Sequence, residues 1–309
     1  MATEASWVAV DWGTSNLRAW GIGPDGGIRF SRASGSGMGR LARDAYSPTL
    51  IDLVGGEFAA SGPAVDVLIC GMAGARQGWM EAPYLGTPAE LDELWSAAVT
   101  PTLPGSRFLP RILPGVCQSV EGAEDVMRGE ETQLLGLAAL LPGFSGLVVM
   151  PGTHSKWVRL TGTRIERFST AMTGELFEVL RMQSMLRHSV DVDEPGGQDE
   201  GFTAGLHSGI ETPQRLSASL FRVRAAALVS GKGPGWCAGF LSGLLIGAEI
   251  GGHRAWVGSA DVPLVGGTAL CSLYARGFDL IGARTHIVDA TEAVLAGLKA
   301  ARQAEERRT

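Results

Sequence analysis

Two short segments carry the residue types that phosphate chemistry needs. Asp11-Trp12-Gly13-Thr14-Ser15-Asn16-Leu17-Arg18 and Pro151-Gly152-Thr153-His154-Ser155-Lys156-Trp157 each set a Gly-Thr turn between apolar runs. Such a turn offers unhindered backbone N–H groups and a hydroxyl, the donors a phosphate takes. Asp11, just ahead of the first turn, suits Mg2+, held directly or through water, while the turn amides and Thr14 meet phosphate oxygens. The second segment lacks that carboxylate and adds His154 and Lys156. It fits a second phosphate grip whose metal ligand comes from elsewhere. Either turn alone is equally a plain hairpin, and His154 a structural hydrogen-bonding residue. The repetition is what points to a triphosphate held at both ends.

Three further segments add to this pattern. Pro263-Leu264-Val265-Gly266-Gly267-Thr268 runs a strand into a Gly-Gly turn and a helix, so a nucleoside face can lie flat on Gly266 and Gly267. Cys70 to Glu81 follows an interior strand, where open α/β sheets bind ligands. Arg76 there offers a fork for a carboxylate or hydroxyl pair. Gln77, Trp79, Glu81 and Tyr84 suit a polyol pocket, with Trp79 also readable as a packing residue. Last, Glu124, Asp125, Glu130 and Glu131 gather before and at a helix start. Capping and dipole compensation explain one or two of these, at about 0.3–1 kcal/mol each. Four carboxylates exceed that need, so one is expected to accept a substrate hydroxyl proton. Arg128 is then a second candidate for pairing with a substrate carboxylate.

The elements that must position these residues follow from the apolar patterning. Residues 6–33 read as three strands, 45–59 as a weak helix, 65–70 as an interior strand, 88–99 as a helix, 108–113 as a strand and 130–141 as a helix. The order is βββ-α-β-α-β-α. A second unit restarts at Leu147 with strands near 147–151, 154–160 and 163–169. Helices follow over 174–187, 198–209, 214–229 and 236–251, then short strands at 255–257 and 263–265, a helix at 267–276, a strand at 285–288 and a closing helix from Ala290 to Glu306. The turn-rich stretch 141–146 divides an N-terminal lobe, residues 1–144, from a C-terminal lobe, residues 145–309.

Composition narrows the partners. The 309 residues are 45% hydrophobic and 19% charged, with a net charge of -6, which argues against nucleic acid. Any phosphate site is therefore built from local backbone groups, not a basic surface. Only three of the 26 basic residues are lysines, Lys156 among them. Cys70, Cys117, Cys237 and Cys271 are widely spaced, so neither zinc nor a disulfide framework is signalled, and buried thiols in a reducing cytoplasm are expected. Phe240 to Ile250 is broken by glycines and Glu249, and reads as a buried helix, not a membrane span. A homodimer is expected only from the general habit of soluble enzymes.

In this order the pieces resemble the superfamily of sugar kinases, heat-shock ATPases and actin. The two hairpins look like its phosphate motifs, and Leu264 to Leu270 like its adenosine motif. The resemblance implies two ribonuclease H-like lobes with mixed five-stranded sheets flanked by helices and an ATP cleft between them, the actin-like ATPase fold. Gly71 to Gln77 is similar to the segment of glycerol-kinase-like enzymes whose arginine touches the polyol, which falls on Arg76. Glu130 stands where those enzymes carry the catalytic aspartate, with Asp125 as its rival. Asp11 to Asn16, Cys70 to Trp79, Asp125 to Gln133, Pro151 to Trp157 and Met172 to Phe177 resemble the 2-dehydro-3-deoxygalactonokinase family over almost the whole chain. That resemblance implies ATP- and Mg2+-dependent phosphorylation of the 6-hydroxyl of 2-dehydro-3-deoxy-D-galactonate in galactonate catabolism. The alternatives are a kinase of another sugar acid, such as 2-dehydro-3-deoxygluconate, and a non-catalytic ATP-binding sensor.

Overall fold

The apolar run before Asp11 becomes β1 (Trp7–Trp12) in a computed structural model that describes residues 5–59, 61–194 and 196–306. It is followed by β2 (Leu17–Ile22), β3 (Ile28–Ser34), α1 (Tyr46–Val54), β4 (Val65–Gly71), β5 (Tyr84–Gly86), β6 (Ala89–Glu90), β7 (Phe108–Ile112), β8 (Gly115–Gln118), β9 (Asp125–Met127) and α2 (Glu130–Leu140). The pattern then restarts with β10 (Ser145–Met150), β11 (Ser155–Thr161) and β12 (Arg164–Ala171). Helices α3 (Thr173–Gln183), α4 (Gln198–Glu211), α5 (Leu216–Val229) and α6 (Pro234–Gly252) come next. The chain ends with β13 (Val262–Gly266), α7 (Thr268–Leu280), β14 (Thr285–Asp289) and α8 (Ala290–Glu306). The first sheet is mixed and five-stranded, in the order β3-β2-β1-β4-β7. The second has six strands, β14-β13-β10-β11-β12-β6, where five were expected, because the two-residue β6 adds beside β12.

By packing, the chain forms two units. One holds the described residues up to Ser145, Leu160–Phe168 and those from Ala290 on; the other holds Gly146–Arg159 and Ser169–Asp289. The closing helix thus belongs with the first unit and not with the C-terminal stretch that the sequence groups it with. Glycines allow this: a Cβ at Gly136 on α2 would stand 1.8 Å from the Ala293 carbonyl, and one at Gly297 on α8 equally close to that of Thr132. The core of the first unit gathers Val8, Val10, Trp12, Tyr46, Ile69, Trp79 and Ile112. That of the second gathers Val149, Trp157, Phe202, Leu264, Tyr274 and Phe278. By length and composition α6 could cross a membrane, yet most of it is buried. Its glycines at 239, 243 and 247 lie against α4, where a Cβ on Gly239 or Gly243 would meet backbone at 2.0–2.1 Å.

Two expected elements are absent. Residues 88–99 form β6 and a short 3-10 turn at Leu91–Glu93 instead of a helix. Leu91 and Leu94 are buried as helical spacing requires, but β6 pairs with β12 and the Leu91 N–H donates to the Thr163 carbonyl, so these backbone groups are already committed. Residues 255–257 are not a strand: Arg254–Trp256 is a 3-10 turn, with the Trp256 carbonyl bound by Arg159. The helix expected to reach 187 stops at Gln183, because Ser184 caps a new turn by accepting the Leu186 N–H. The four cysteines are free, three of them buried.

Candidate active site

The first unit brings its acidic residues to the carboxyl end of the parallel pair β1–β4. Asp11 stands opposite Arg18 on β2 and Cys70 on β4, and Trp12 opposite Gly71. Arg18 Nη2 lies 2.9 Å from Asp11 Oδ2, and its Nη1 donates to Thr291 Oγ1 at the start of α8. Burial raises the Asp11 carboxyl, the Arg18 charge and hydrogen bond pull it back, and the nearby charge of Glu130 raises it again. Gly71 adopts φ 88°, and Gly129, at φ 107°, packs against it, so α2 starts at the end of β4. Glu130 Oε2 accepts the Arg128 N–H at 3.0 Å and Glu131 Oε2 the Gly129 N–H at 2.6 Å. Both acids therefore cap the helix start, the plainer of the two expectations. Glu130 still lies close enough for Asp11 to feel its charge. Asp125 sits on β9, where its Oδ1 accepts the Val126 N–H.

Glu131 counted in the sequence reading only as one of four clustered carboxylates. It is fully buried, its Oε1 accepts the Thr132 hydroxyl, and burial followed by the Glu130 charge pushes its carboxyl up to about 7. No pattern of residue types distinguished it from its neighbour. Only the register of the α2 start turns one acid inward.

The two arginines differ. Arg76 is 81% exposed and its Nε reaches Glu81 at 3.5 Å; Gln77 is exposed as well. Arg128 instead runs inward: its Nη2 donates to the Ala82 carbonyl at 2.8 Å and its guanidinium lies 4.3 Å from the centre of the Tyr84 ring. Its Nε and Nη1 are buried with no hydrogen-bond partner among the described residues. A Cβ on Gly74 would come 2.8 Å from Nη1, so the guanidinium packs where only a glycine leaves room for it. Trp79 is a core residue, stacked on Tyr46 and edge-on to Trp12.

Among the described residues no three His, Cys, Asp or Glu gather as a metal cage. Mg2+ in nucleotide sites uses one or two carboxylates plus phosphate oxygens, and the hard oxygens of Asp11, with the Glu130 charge nearby, fit that mode. The hairpin after Asp11 is closed by Gly13 N–H on the Asn16 carbonyl, and Thr14, Ser15 and Asn16 are exposed. The Thr14 carbonyl accepts the Gly39 N–H and lies where a Cβ on Gly37 would be, 2.4 Å away.

In the second unit Thr153 and His154 are exposed, and His154 is paired with Glu175. A Cβ on Gly174 would meet the Gly152 carbonyl at 2.6 Å, so the start of α3 sits on the turn. Ser155 and Lys156, expected at a phosphate, are both buried: Ser155 Oγ contacts Tyr274 OH and the Lys156 ammonium turns to the His154 carbonyl. Adjacent strand residues point to opposite faces, but β11 is covered on both, so neither side chain reaches the surface. Beside the turn lies a cavity of about 300 Å³ lined by Gly152, Gly174, Phe177, Leu270, Leu273 and Tyr274. A second, of about 390 Å³, shares Phe177, Ser242 and Leu273 and has Asp199 and Arg276 in its wall. Gly266 and Gly267 line neither, but they lead into α7, whose side chains do.

The model of the 2-keto-3-deoxy-galactonokinase family matches residues 11–301. A protein of Rhizobium meliloti (strain 1021) named as a probable 2-dehydro-3-deoxygalactonokinase, DgoK1, is 46% identical over 98% of this chain and 99% of its own. The 2-dehydro-3-deoxygalactonokinase of Escherichia coli (strain K12) is 38% identical over 96% of this chain and 97% of its own. A crystal structure from Sinorhizobium meliloti carrying the same activity name superposes with TM-score 0.90 at 44% identity, over 97% of this chain and 99% of that one. A dehydratase activator of Clostridium difficile with bound ADPNP, 14% identical over 98% of this chain and 96% of its own at TM-score 0.50, shares the fold alone.

Proposed function

Because the chain belongs to the 2-keto-3-deoxy-galactonokinase family, we propose that it transfers the γ-phosphoryl group of ATP to the 6-hydroxyl of 2-dehydro-3-deoxy-D-galactonate. The fold is that of the actin-like ATPases, and the ATP requirement is in keeping with the cytoplasmic location expected from the sequence. The observation that most supports this acceptor is Arg128, which holds two buried donors without partners among the described residues, Nη1 packed against Gly74. A buried donor left without a partner is costly, and a sugar-acid carboxylate would satisfy one of these with a charge-assisted hydrogen bond. A neutral sugar does not.

In this reading Glu130 accepts the proton of the attacking hydroxyl, since its charge acts on Asp11, whereas Asp125 lies on β9 with Oδ1 on the Val126 N–H. Asp11 would hold Mg2+, which draws charge from the transferring phosphoryl group. Arg18 orients Asp11 by its ion pair. The exposed turns at Gly13–Asn16 and Gly152–His154 take phosphate oxygens, and the α7 cavities take the nucleoside. The sequence assignment of Ser155 and Lys156 to direct phosphate contact is set aside, as both are turned inward.

A coupled ADP-release assay over 2-keto-3-deoxy sugar acids, including the gluconate-derived epimer, and the matching neutral sugars tests the reading. Turnover of the galactonate-derived acid with neutral sugars at background is expected. ATP binding with silence across the panel would refute it in favour of a sensor.

A further inference from the structure

Glu249 is a carboxylate in the interior of the second unit, 6% exposed, on the otherwise apolar α6. Its two oxygens are both engaged: Oε1 accepts Trp157 Nε1–H at 2.6 Å and Oε2 accepts Tyr274 O–H at 2.6 Å. The Tyr274 oxygen also lies 2.8 Å from Ser155 Oγ. The Thr173 hydroxyl bonds into the same group, and His253 stacks on Trp157 with its Nδ1 2.9 Å from the Glu249 backbone carbonyl. These residues come from distinct parts of the sequence. Ser155 and Trp157 lie on β11, directly after the Gly152–Thr153 turn. Thr173 begins α3, whose Gly174 sits on that turn. Tyr274 lies on α7, beyond Gly266–Gly267, and lines the cavity beside the same turn.

A buried acid is expensive unless its lone pairs are satisfied. An apolar residue at 249 would fill the core with less cost, so the acid is a poor choice if packing alone is served. Its geometry does something packing does not. Directional bonds tie the phosphate turn, the start of α3 and the nucleoside-lining helix to one point. We infer that Glu249 is a positioning residue for ATP, acting through Tyr274 and Ser155 to hold the Gly152–Thr153 turn and α7 in a single spacing matched to the nucleotide. Ser155 thereby gains a role that its burial denied it as a direct phosphate ligand. The inference rests on the kinase reading above.

The test is a double-mutant cycle on Tyr274→Phe and Ser155→Ala, with Glu249→Gln as a third variant. ATP affinity is measured by titration calorimetry without acceptor, and KM for ATP and for the sugar acid separately. The expected result is an approximately tenfold rise in Kd and KM for ATP in each single variant. KM for the acceptor stays within about twofold, and the Tyr274→Phe/Ser155→Ala double variant is no worse than either single one. If wild type shows no turnover, the kinase reading falls and not this inference. If wild type turns over and the variants lower the melting temperature while ATP Kd and KM stay at wild-type values, Glu249 is structural and the inference is overturned. Additive effects of Tyr274→Phe and Ser155→Ala on ATP affinity would overturn it too.

Discussion

Replacing Glu131 by Gln should make the protein more stable at alkaline pH and leave it unchanged at acid pH. The side chain is fully buried, and its carboxyl is raised from 4.5 to about 7, first by burial and then by Glu130. Between these values the unfolded chain has lost the proton and the folded chain keeps it. Stability is therefore complete below about pH 4.5, falls as pH rises, and stops falling above about pH 7. At about 1.36 kcal/mol per pH unit the loss amounts to about 3 kcal/mol. Gln keeps the shape and an oxygen for the Gly129 N–H, and its amide can face the Thr132 hydroxyl, so little else changes. At about 2–4 °C per kcal/mol, the variant should melt about 6–12 °C above wild type at pH 8. At pH 4 the two should melt within about a degree of each other. Thermal melts of the ligand-free protein across this range decide the matter. Parallel curves, with the same offset at every pH, would refute the reasoning.

Other outcomes follow from the same unit. Asp11→Asn should lower kcat by about a hundredfold or more with an unchanged melting temperature; near-normal turnover at saturating Mg2+ would remove Asp11 from the metal assignment. Glu130→Gln should reduce kcat by about 10²–10⁴ while Asp125→Asn stays within a few-fold, and a reversal of that order in steady-state assays would transfer the base to Asp125. Gly74→Ala intrudes on Arg128 Nη1 at 2.8 Å and should raise KM for the sugar acid about tenfold with KM for ATP unaffected; an equal rise in both would count against a carboxylate at Arg128. Gly297→Ala forces a Cβ to 1.8 Å from the Thr132 carbonyl and should cost about 1–3 kcal/mol or more in denaturant titrations. A midpoint within error of wild type would contradict the packing described for α2 and α8.

Apolar runs and turns made most of the architecture legible: β1 to β4, β7, α2, β10 to β13 and α4 to α8 fall near their expected positions. What escaped depended on partners distant in sequence. Residues 88–99 have helical spacing, but pairing with β12 claims their backbone. The three-stranded sheet β5-β8-β9 was missed because its strands are three or four residues long and partly exposed, too short for any period to register. In the site, residue types identified candidates and could not rank them. Arg76 and Arg128 look alike in sequence, and only burial separates an exposed fork from one with unmet donors. Glu130 and Glu131 are adjacent and chemically alike, yet the helix turns one inward. Ser155 and Lys156 match a phosphate motif by type, while β11 is covered on both faces and buries both.

The return of α8 to the first unit sets an order of events during synthesis. The segment of α2 that receives it carries Gly136 at the contact, and its buried face includes Leu134, Leu135 and Leu137. Vectorial folding usually completes the N-terminal domain first. Here the sequence from Gly146 to Asp289, most of which belongs to the other unit, must emerge before Ala290–Glu306 is available to cover that face. The second unit can therefore mature while the first still waits, and a nascent chain stalled before Ala290 leaves an apolar helix surface open to chaperones and proteases.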